Sequence, residues 1–176
     1  EVVVIDNLAG GMVLPGQQGL TIFKDDISNP AVFERIPEID AVIHLASLSS
    51  SEISFERPVD ELSASLIGAT RLVDFCKQKG VNRLIFASSM SVYGNIGKRK
   101  EGFRVDENDS VELLSYYAIG KKAVEDLLSF EQSPVFTPVS LRFFNLYGPN
   151  QNLLNTKQGM VSIFLAQLLK GSTVVV

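Results

Sequence analysis

The sequence alternates short apolar runs with segments of helical periodicity, and this alternation limits the folds that the chain can adopt. We predict helices where apolar residues recur every three or four positions. The predicted strands, which are runs apolar for most of their length, are residues 2–6, 20–23, 41–46, 83–88 and 139–144. The predicted helices are residues 31–36, 59–79, 117–130 and 160–170. Buried strands in this order indicate an α/β fold, a parallel sheet with helices on both faces.

Composition and charge exclude several classes of protein. The formal net charge of −4 argues against nucleic acid or an anionic membrane as a partner. No apolar run approaches the roughly 20 residues that a membrane-spanning helix needs. The single cysteine, Cys76, excludes an internal disulfide framework and is typical of a reducing compartment, so we expect a cytoplasmic protein.

Both ends of the chain lie close to apolar runs, at residues 2–5 and 174–176. Buried strands need neighbours in a sheet, whereas long apolar edge strands promote aggregation. We therefore expect a piece of a larger protein, with a sheet that is incomplete at both ends. The alternative is that these two runs are unpaired edge strands.

The residues that close the predicted strands are candidate site residues, because open parallel sheets bind ligands at the carboxyl ends of their strands. Asp6 and Asn7 close the first run. In dinucleotide-binding folds an acidic residue here accepts hydrogen bonds from a ribose, about 20 residues after a glycine-rich loop. An Asp would repel a 2′-phosphate, which favours NAD over NADP, and the loop would then precede residue 1. Alternatively, the pair initiates a turn.

Other strand ends allow two interpretations each. Asp26 can bind an adenine amino group, or it can cap a helix, as can Ser28. His44 is either a site residue or a core residue with its hydrogen bonds satisfied. The hydroxyls of residues 88–91 can orient a substrate or cap a turn. Ala46 is small enough for a flat cofactor to approach the backbone.

The most informative pair is Tyr117 and Lys121, which are four residues apart at the start of a predicted helix. This spacing places both side chains on one helix face. A phenol has an ordinary pKa of about 10, so we expect the Lys121 ammonium to lower the pKa of Tyr117 toward the working range. A strand-end serine would share the hydrogen bond to the reacting oxygen. Tyr116 is not equivalent, since four residues later the chain has Gly120.

Six segments carry a family resemblance when they are taken in order. They are residues 6–8 (Asp-Asn-Leu), 26–27 (Asp-Ile), 44–46 (His-Leu-Ala), 88–94 (Ser-Ser-Met-Ser-Val-Tyr-Gly), 117–121 (Tyr-Ala-Ile-Gly-Lys) and 141–149 (Leu-Arg-Phe-Phe-Asn-Leu-Tyr-Gly-Pro). Together they resemble the extended short-chain dehydrogenase/reductase superfamily, in particular its NAD-dependent epimerase/dehydratase branch, which acts on nucleotide sugars. The resemblance implies a doubly wound parallel sheet of the Rossmann type. Residues 1–150 would be the dinucleotide-binding domain, without its first strand and glycine-rich loop, and residues 151–176 would begin the substrate-binding portion.

The resemblance also implies roles for individual residues. Tyr117 would be the catalytic base, Lys121 would contact the nicotinamide ribose, and Ser89 would be the hydroxyl partner of Tyr117. The cofactor-contact positions are Asp6, Asn7, Asp26, Ile27, Leu45, Ala46, Ser47, Ser88, Tyr117, Lys121 and Phe144. The substrate-contact positions are Ser89, Ser91 and Asn145, and no metal is implied. Alternatively, Lys121 is a solvated helix residue and Asn145 belongs to a turn.

The sequence departs from the family's pattern at two places, and the first of them reduces the number of reactions that it can catalyse. Sugar dehydratases of this branch carry Asp-Glu directly after a catalytic Thr, and decarboxylating relatives keep the Glu. This chain has Met90 and Ser91 there, so both chemistries lack their proton carriers. What remains is epimerisation at carbon 4 through a 4-keto sugar. The second departure is Ser65, which stands where the family commonly has a cofactor-contacting Asn.

We therefore predict an NAD-dependent nucleotide-sugar epimerase, with a UDP-sugar as substrate and a homodimer when the protein is complete. One alternative is a dehydratase or reductase of the same fold. Another is a non-catalytic dinucleotide-binding protein, whose Tyr–Lys pair should be damaged. For the isolated piece of 176 residues we expect no measurable catalysis and weak NAD binding.

Overall fold

The computed structural model describes residues 1–9, 16, 18–48, 51–95, 104–149, 151, 153 and 159–171. The strands are β1 (Val2–Asp6), β2 (Leu20–Lys24), β3 (Val42–His44), β4 (Arg83–Ser89) and β5 (Thr137–Phe143). The α-helices are α1 (Ser51–Glu56), α2 (Pro58–Leu62), α3 (Gly68–Lys79), α4 (Tyr116–Glu131) and α5 (Met160–Leu169). A π-helical turn, Ser63–Ile67, joins α2 to α3. Single 3₁₀ segments form at Pro30–Arg35 and Met90–Tyr93.

All pairings among these strands are parallel, which confirms the predicted class of fold. Strand β1 pairs with β2, and β3, β4 and β5 pair in that order. Within the described residues these are two separate sheets. In the larger sheet the register places His44 opposite Phe86 and Ser89 opposite Phe143. The carboxyl ends of the three strands therefore lie along one edge of that sheet.

Helices α3 and α4 contribute to the core together with one face of the larger sheet. Along β4 the buried side chains alternate, and Leu84 and Phe86 join a cluster that includes Val73 of α3 and Val124 of α4. Residues on the other face remain exposed, among them Ile43, at 65%. Within the described residues, helices thus cover mainly one face of this sheet, whereas the sequence analysis predicted helices on both faces.

Local signals explain where two of the helices begin and end. Helix α3 ends before Gly80, whose φ of +69° is the left-handed conformation that glycine adopts most readily. Helix α4 begins after Ser115, whose hydroxyl accepts a hydrogen bond from the backbone N–H of Ala118 at 3.1 Å. This cap sets the position of Tyr117 relative to the sheet.

Some element predictions were wrong in detail. The sequence analysis missed α1, and β3 is shorter than predicted. The segment predicted at residues 31–36 is a 3₁₀ helix, and its cap is Asn29 rather than Asp26 or Ser28. The Asp26 carboxylate is instead bound to the backbone N–H of Ser28, at 2.8 Å, and to a side chain at the end of β1.

Two further predictions fall partly or wholly on residues outside the described ranges. These are the apolar run at residues 174–176 and residues 96–103, which belong to the segment 95–110, predicted to be an exposed loop because it is rich in Gly and charged residues. The described remainder of that loop, residues 104–110, has no helix or strand and is mostly exposed. Within the described part of the chain, no helix has the length and apolar character to cross a membrane.

Candidate active site

Four side chains that the sequence analysis singled out meet at the carboxyl end of β4. The hydroxyls of Ser89 and Ser47 lie close enough to the Tyr117 hydroxyl to lower its pKa through hydrogen bonding. The Lys121 Nζ donates to the backbone oxygen of Ala87 at 2.7 Å and lies 5.3 Å from the centre of the Tyr117 ring. A phenol, a hydroxyl pair and an ammonium therefore share one cleft between α4 and the sheet edge.

The charge state of Tyr117 differs from our expectation. Burial raises the pKa of the phenol above its ordinary value, although the hydrogen bond from Ser89 acts in the opposite direction. The expected lowering toward neutral pH was therefore wrong for this structure. Burial also lowers the pKa of Lys121 to about 8. Burial therefore keeps Tyr117 protonated. It also makes the Lys121 ammonium, which was expected to favour the phenolate, easier to deprotonate.

The sequence analysis missed Glu61, a fully buried carboxylate of α2. It accepts hydrogen bonds from the Ser65 hydroxyl at 2.5 Å and from the backbone N–H of Leu48 at 3.2 Å. Its negative charge raises the pKa of both Tyr117 and Lys121. The sequence did hold a signal, because Glu61 and Ser65 precede Ala69, Leu72 and Cys76 at steps of three and four residues, which places them on the apolar face of the predicted helix.

Ser88 does not face the Tyr117 hydroxyl. Its own hydroxyl is buried and donates to Glu125 of α4. Glu125 also receives two hydrogen bonds from Arg142 of β5, at 2.9 and 2.8 Å, and the guanidinium lies 4.8 Å from the centre of the Tyr93 ring. Glu125 holds the pKa of Arg142 above its ordinary value. This network joins α4 to the ends of β4 and β5 directly beside the cleft.

The predicted cofactor residues at β1 and β2 form a second cluster. The Asn7 amide donates to the Asp26 carboxylate at 2.9 Å, which links the loops that follow the two strands. Asp6 is exposed and accepts a hydrogen bond from the backbone N–H of Leu8 at 2.6 Å. Hydrogen bonds from Ser28 lower the pKa of Asp26 despite its partial burial. The carboxylate oxygens of Asp6 and Asp26 thus lie at the strand ends where the sequence analysis expected hydrogen-bond acceptors for the cofactor.

The remaining candidate residues differ in how accessible they are. Ile27 is only 8% exposed and belongs to the core, so little of its side chain is open to a ligand. Leu45 and Phe144 are 65% and 53% exposed, and Ala46 is partly buried against the core. Asn145 is exposed. The Ser91 Oγ is buried and has no hydrogen-bond partner among the described residues.

His44 is a core residue, but its Nε2 has no hydrogen-bond partner within the described part of the chain. The ring packs against Phe86 with the ring centres 5.3 Å apart. Burial, and secondarily the Lys121 ammonium, lower the pKa of His44 to about 4. The imidazole is therefore neutral at physiological pH and places no positive charge beside Lys121.

The NAD dependent epimerase/dehydratase family model matches residues 1–176. The chain therefore belongs to this family, which confirms the resemblance seen in the sequence and the NAD dependence that it implied. A crystal structure of UDP-glucose 4-epimerase from Thermus thermophilus, in complex with NAD, is 36% identical with a TM-score of 0.86, and the match covers 99% of this chain and 56% of that one.

Two other relatives show how far the similarity extends. UDP-glucose 4-epimerase from Thermotoga maritima, crystallised with UDP-glucose, has a TM-score of 0.88 at 29% identity and covers 98% of this chain and 56% of that one. UDP-glucuronic acid decarboxylase 3 from Arabidopsis thaliana is 28% identical over 100% of this chain and 52% of its own length. The chain thus spans about half the length of these relatives, and they include both epimerases and a decarboxylase.

The buried ion pair beside the cleft yields a first prediction. Replacing Glu125 with Ala leaves the Arg142 guanidinium, whose side chain is 15% exposed, without its carboxylate. We expect urea unfolding of the full-length protein to show a loss of about 3 kcal/mol, as for other broken buried pairs. The matched control is Asp126→Ala, which removes an adjacent carboxylate that is 67% exposed and paired with Lys122. It should change stability by about 0.5 kcal/mol or less, and an equal loss in both variants would contradict the account.

His44 yields a prediction about pH. Its pKa in the folded chain, about 4, lies below its unfolded value of about 6.5, so between these values the unfolded chain binds a proton that the folded chain does not. The free energy of unfolding is therefore highest above pH 6.5 and falls by on the order of 3 kcal/mol as the pH approaches 4. His44→Phe should flatten this part of the stability profile. The imidazole signal that proton NMR shows for wild type but not for His44→Phe is that of His44. A titration near the unfolded value would refute the burial argument.

Proposed function

We propose that this chain is part of an NAD-dependent enzyme that epimerises a UDP-sugar at carbon 4 through a 4-keto intermediate. The observation that carries the proposal is the placement of the Ser89 and Ser47 hydroxyls beside the Tyr117 hydroxyl, with the Lys121 Nζ 5.3 Å from the centre of the Tyr117 ring. The absence of carboxylates at Met90 and Ser91 also supports it, because dehydration needs an additional acid and base. Relatives that are UDP-glucose 4-epimerases support the choice of substrate class.

The residues at the strand ends fit a dinucleotide cofactor. Within the described residues Lys121 donates one hydrogen bond, to the Ala87 carbonyl, and because an ammonium has three donors, two are left to bind a ribose diol. Asp6 is an exposed acceptor at the end of β1, suited to the second ribose. Leu45 and Phe144 offer exposed apolar surface at the same edge of the larger sheet, which suits a flat ring. In this proposal the predicted cofactor residues hold NAD, which supplies the hydride acceptor and donor.

In this proposal, residues of this chain transfer the proton. Tyr117 gives a proton to the sugar oxygen at carbon 4 in one direction and removes it in the other, since epimerisation is reversible. Ser89 shares the hydrogen bond and fixes the position of that oxygen. Burial favours the protonated phenol, and the hydrogen bonds from Ser89 and Ser47 offset part of this effect. Ser91 and Asn145 are the proposed contacts to the rest of the nucleotide sugar.

The sheet topology supports the proposed division of the chain. Within the described residues β1 pairs with β2 alone and β3 with β4 alone, so each has one free edge. We propose that one further strand, followed by a glycine-rich loop, completes the dinucleotide-binding domain of residues 1–150 between them. Residues 151–176 would begin the substrate-binding portion. On this basis the isolated chain should show no catalysis and only weak NAD binding.

A homodimer is proposed for the complete protein. Its support is the apolar surface on the helices around the site, where Phe55, Val59, Ile67 and Ile119 are between 40% and 74% exposed. These residues belong to α1, α2, the π-helical turn and α4.

The experiment is to incubate the full-length protein with NAD and UDP-glucose and follow the products by NMR. We expect the 4-epimer without net formation of NADH. Tyr117→Phe should reduce turnover about 1000-fold, and Ser89→Ala about 100-fold, with little change in thermal stability. The matched control is Tyr116→Phe, because the Tyr116 ring packs on Phe55, 6.1 Å away between centres. It should leave turnover unchanged.

Other products would overturn the proposal in distinct ways. A 4-keto-6-deoxy sugar would indicate a dehydratase, and net consumption of reduced cofactor would indicate a reductase. Release of carbon dioxide from UDP-glucuronic acid would indicate a decarboxylase. Unchanged turnover in Tyr117→Phe would refute the assignment of the base even if the product is the 4-epimer.

A further inference from the structure

Glu61 is a buried carboxylate that the proposed reaction does not use. Its side chain is inaccessible to solvent, and its two oxygens bind the Ser65 hydroxyl and the backbone N–H of Leu48. It also contacts helix α4, since a Cβ built on Gly120 would lie 3.1 Å from its Oε1. Gly120 lies between Tyr117 and Lys121 in sequence and directly precedes the lysine. The carboxylate is therefore packed against the part of α4 that carries the proposed proton chemistry.

The charges around Lys121 explain why a carboxylate at this point matters. The lysine is 3% exposed, and a buried ammonium is costly unless an opposite charge accompanies it. From β3 it faces His44, which is neutral, and from β4 it faces the Ala87 carbonyl and the Phe86 ring, whose centre lies 4.9 Å from its Nζ. On α4 itself, Tyr117 is protonated, and Glu125 is already bound to the Arg142 guanidinium. Within the described residues, Glu61 is the remaining carboxylate of this cleft.

We propose that Glu61 is a positioning residue whose carboxylate is the counter-charge of the buried Lys121 ammonium, and that through Ser65 and Leu48 it ties the loop after β3 to helix α4. This inference rests on the proposed function, since it assigns Glu61 to the support of Lys121 and Tyr117. Glu61 itself touches neither the proposed substrate oxygen nor the cofactor positions. Its charge raises the pKa of both Lys121 and Tyr117, in agreement with this role.

The first test does not depend on catalysis. Thermal unfolding at neutral pH is compared for full-length wild type, Glu61→Gln, Lys121→Gln and the double variant. Each single substitution leaves one buried charge without its partner, so each should lower the unfolding temperature by several degrees. The double variant leaves neither charge, and its loss should be clearly smaller than the sum of the two single losses. Additive losses would overturn the proposal. If Glu61→Gln fails to fold, recovery of folding in the double variant supports it, and failure to recover overturns it.

The second test measures the pH dependence of turnover. Activity needs a deprotonated Tyr117 and a protonated Lys121, so the profile of turnover against pH is bell-shaped, with a rising acid limb and a falling basic limb, whichever of the two groups titrates first. Removing the Glu61 charge lowers both pKa values, and the whole profile of Glu61→Gln should move by about one pH unit toward acid. The matched control is Asp60→Asn, which removes the adjacent carboxylate, 54% exposed and paired with Arg57 at 2.7 Å. Its profile should coincide with that of wild type.

The outcomes separate this inference from the proposed function. If the wild-type protein does not epimerise UDP-sugars, the proposed function fails, and the thermal cycle still decides whether Glu61 and Lys121 are paired. If wild type is active but the profiles of Glu61→Gln and Asp60→Asn both coincide with it, the role of Glu61 fails and the proposed function stands. A purely structural role for Glu61 would lower stability without moving the pH profile.

Discussion

The approach of the Ser89 hydroxyl to the Tyr117 hydroxyl is the feature on which the account of this molecule depends. It brings the first turn of α4 to the carboxyl end of β4, so it requires that the helix and the strand both begin and end at the right residues. The Ser115 cap fixes where the helix begins, and the parallel pairing of β4 fixes where the strand ends. The bond from Lys121 to the Ala87 carbonyl adds a second tie one helical turn later. Together these contacts define the cleft in which we place the reaction.

The electrostatics of the cleft follow from burial more than from any single pair of charges. Desolvation favours the neutral forms of Tyr117, Lys121 and His44. It raises the pKa of the phenol and lowers the pKa values of the lysine and the histidine. Glu61 partly restores the charge of Lys121, but it also makes ionisation of Tyr117 harder. A site that needs a protonated lysine and a tyrosine able to lose its proton must balance these effects. The proposed role of Glu61 is one side of that balance.

Much of this arrangement could be predicted from the sequence. Apolar runs located the strands because buried parallel strands have little polar alternation, and the spacing of Tyr117 and Lys121 placed them on one helix face. The orientation of Ser88 toward Glu125 and the buried position of Glu61 depend on contacts between distant segments, which local pattern does not specify. The direction of the Tyr117 pKa shift was missed for the same reason. The proximity of Lys121 was visible in the sequence, but the depth of burial was not.

The most direct test of the central claim is a crystal structure of the full-length protein with NAD and UDP-glucose bound. We predict that the Tyr117 hydroxyl lies within hydrogen-bonding distance of both the Ser89 hydroxyl and the sugar oxygen at carbon 4, with the Lys121 ammonium on the nicotinamide ribose. A complex in which that sugar oxygen contacts other side chains, while Tyr117 and Ser89 face away from it, would contradict the account.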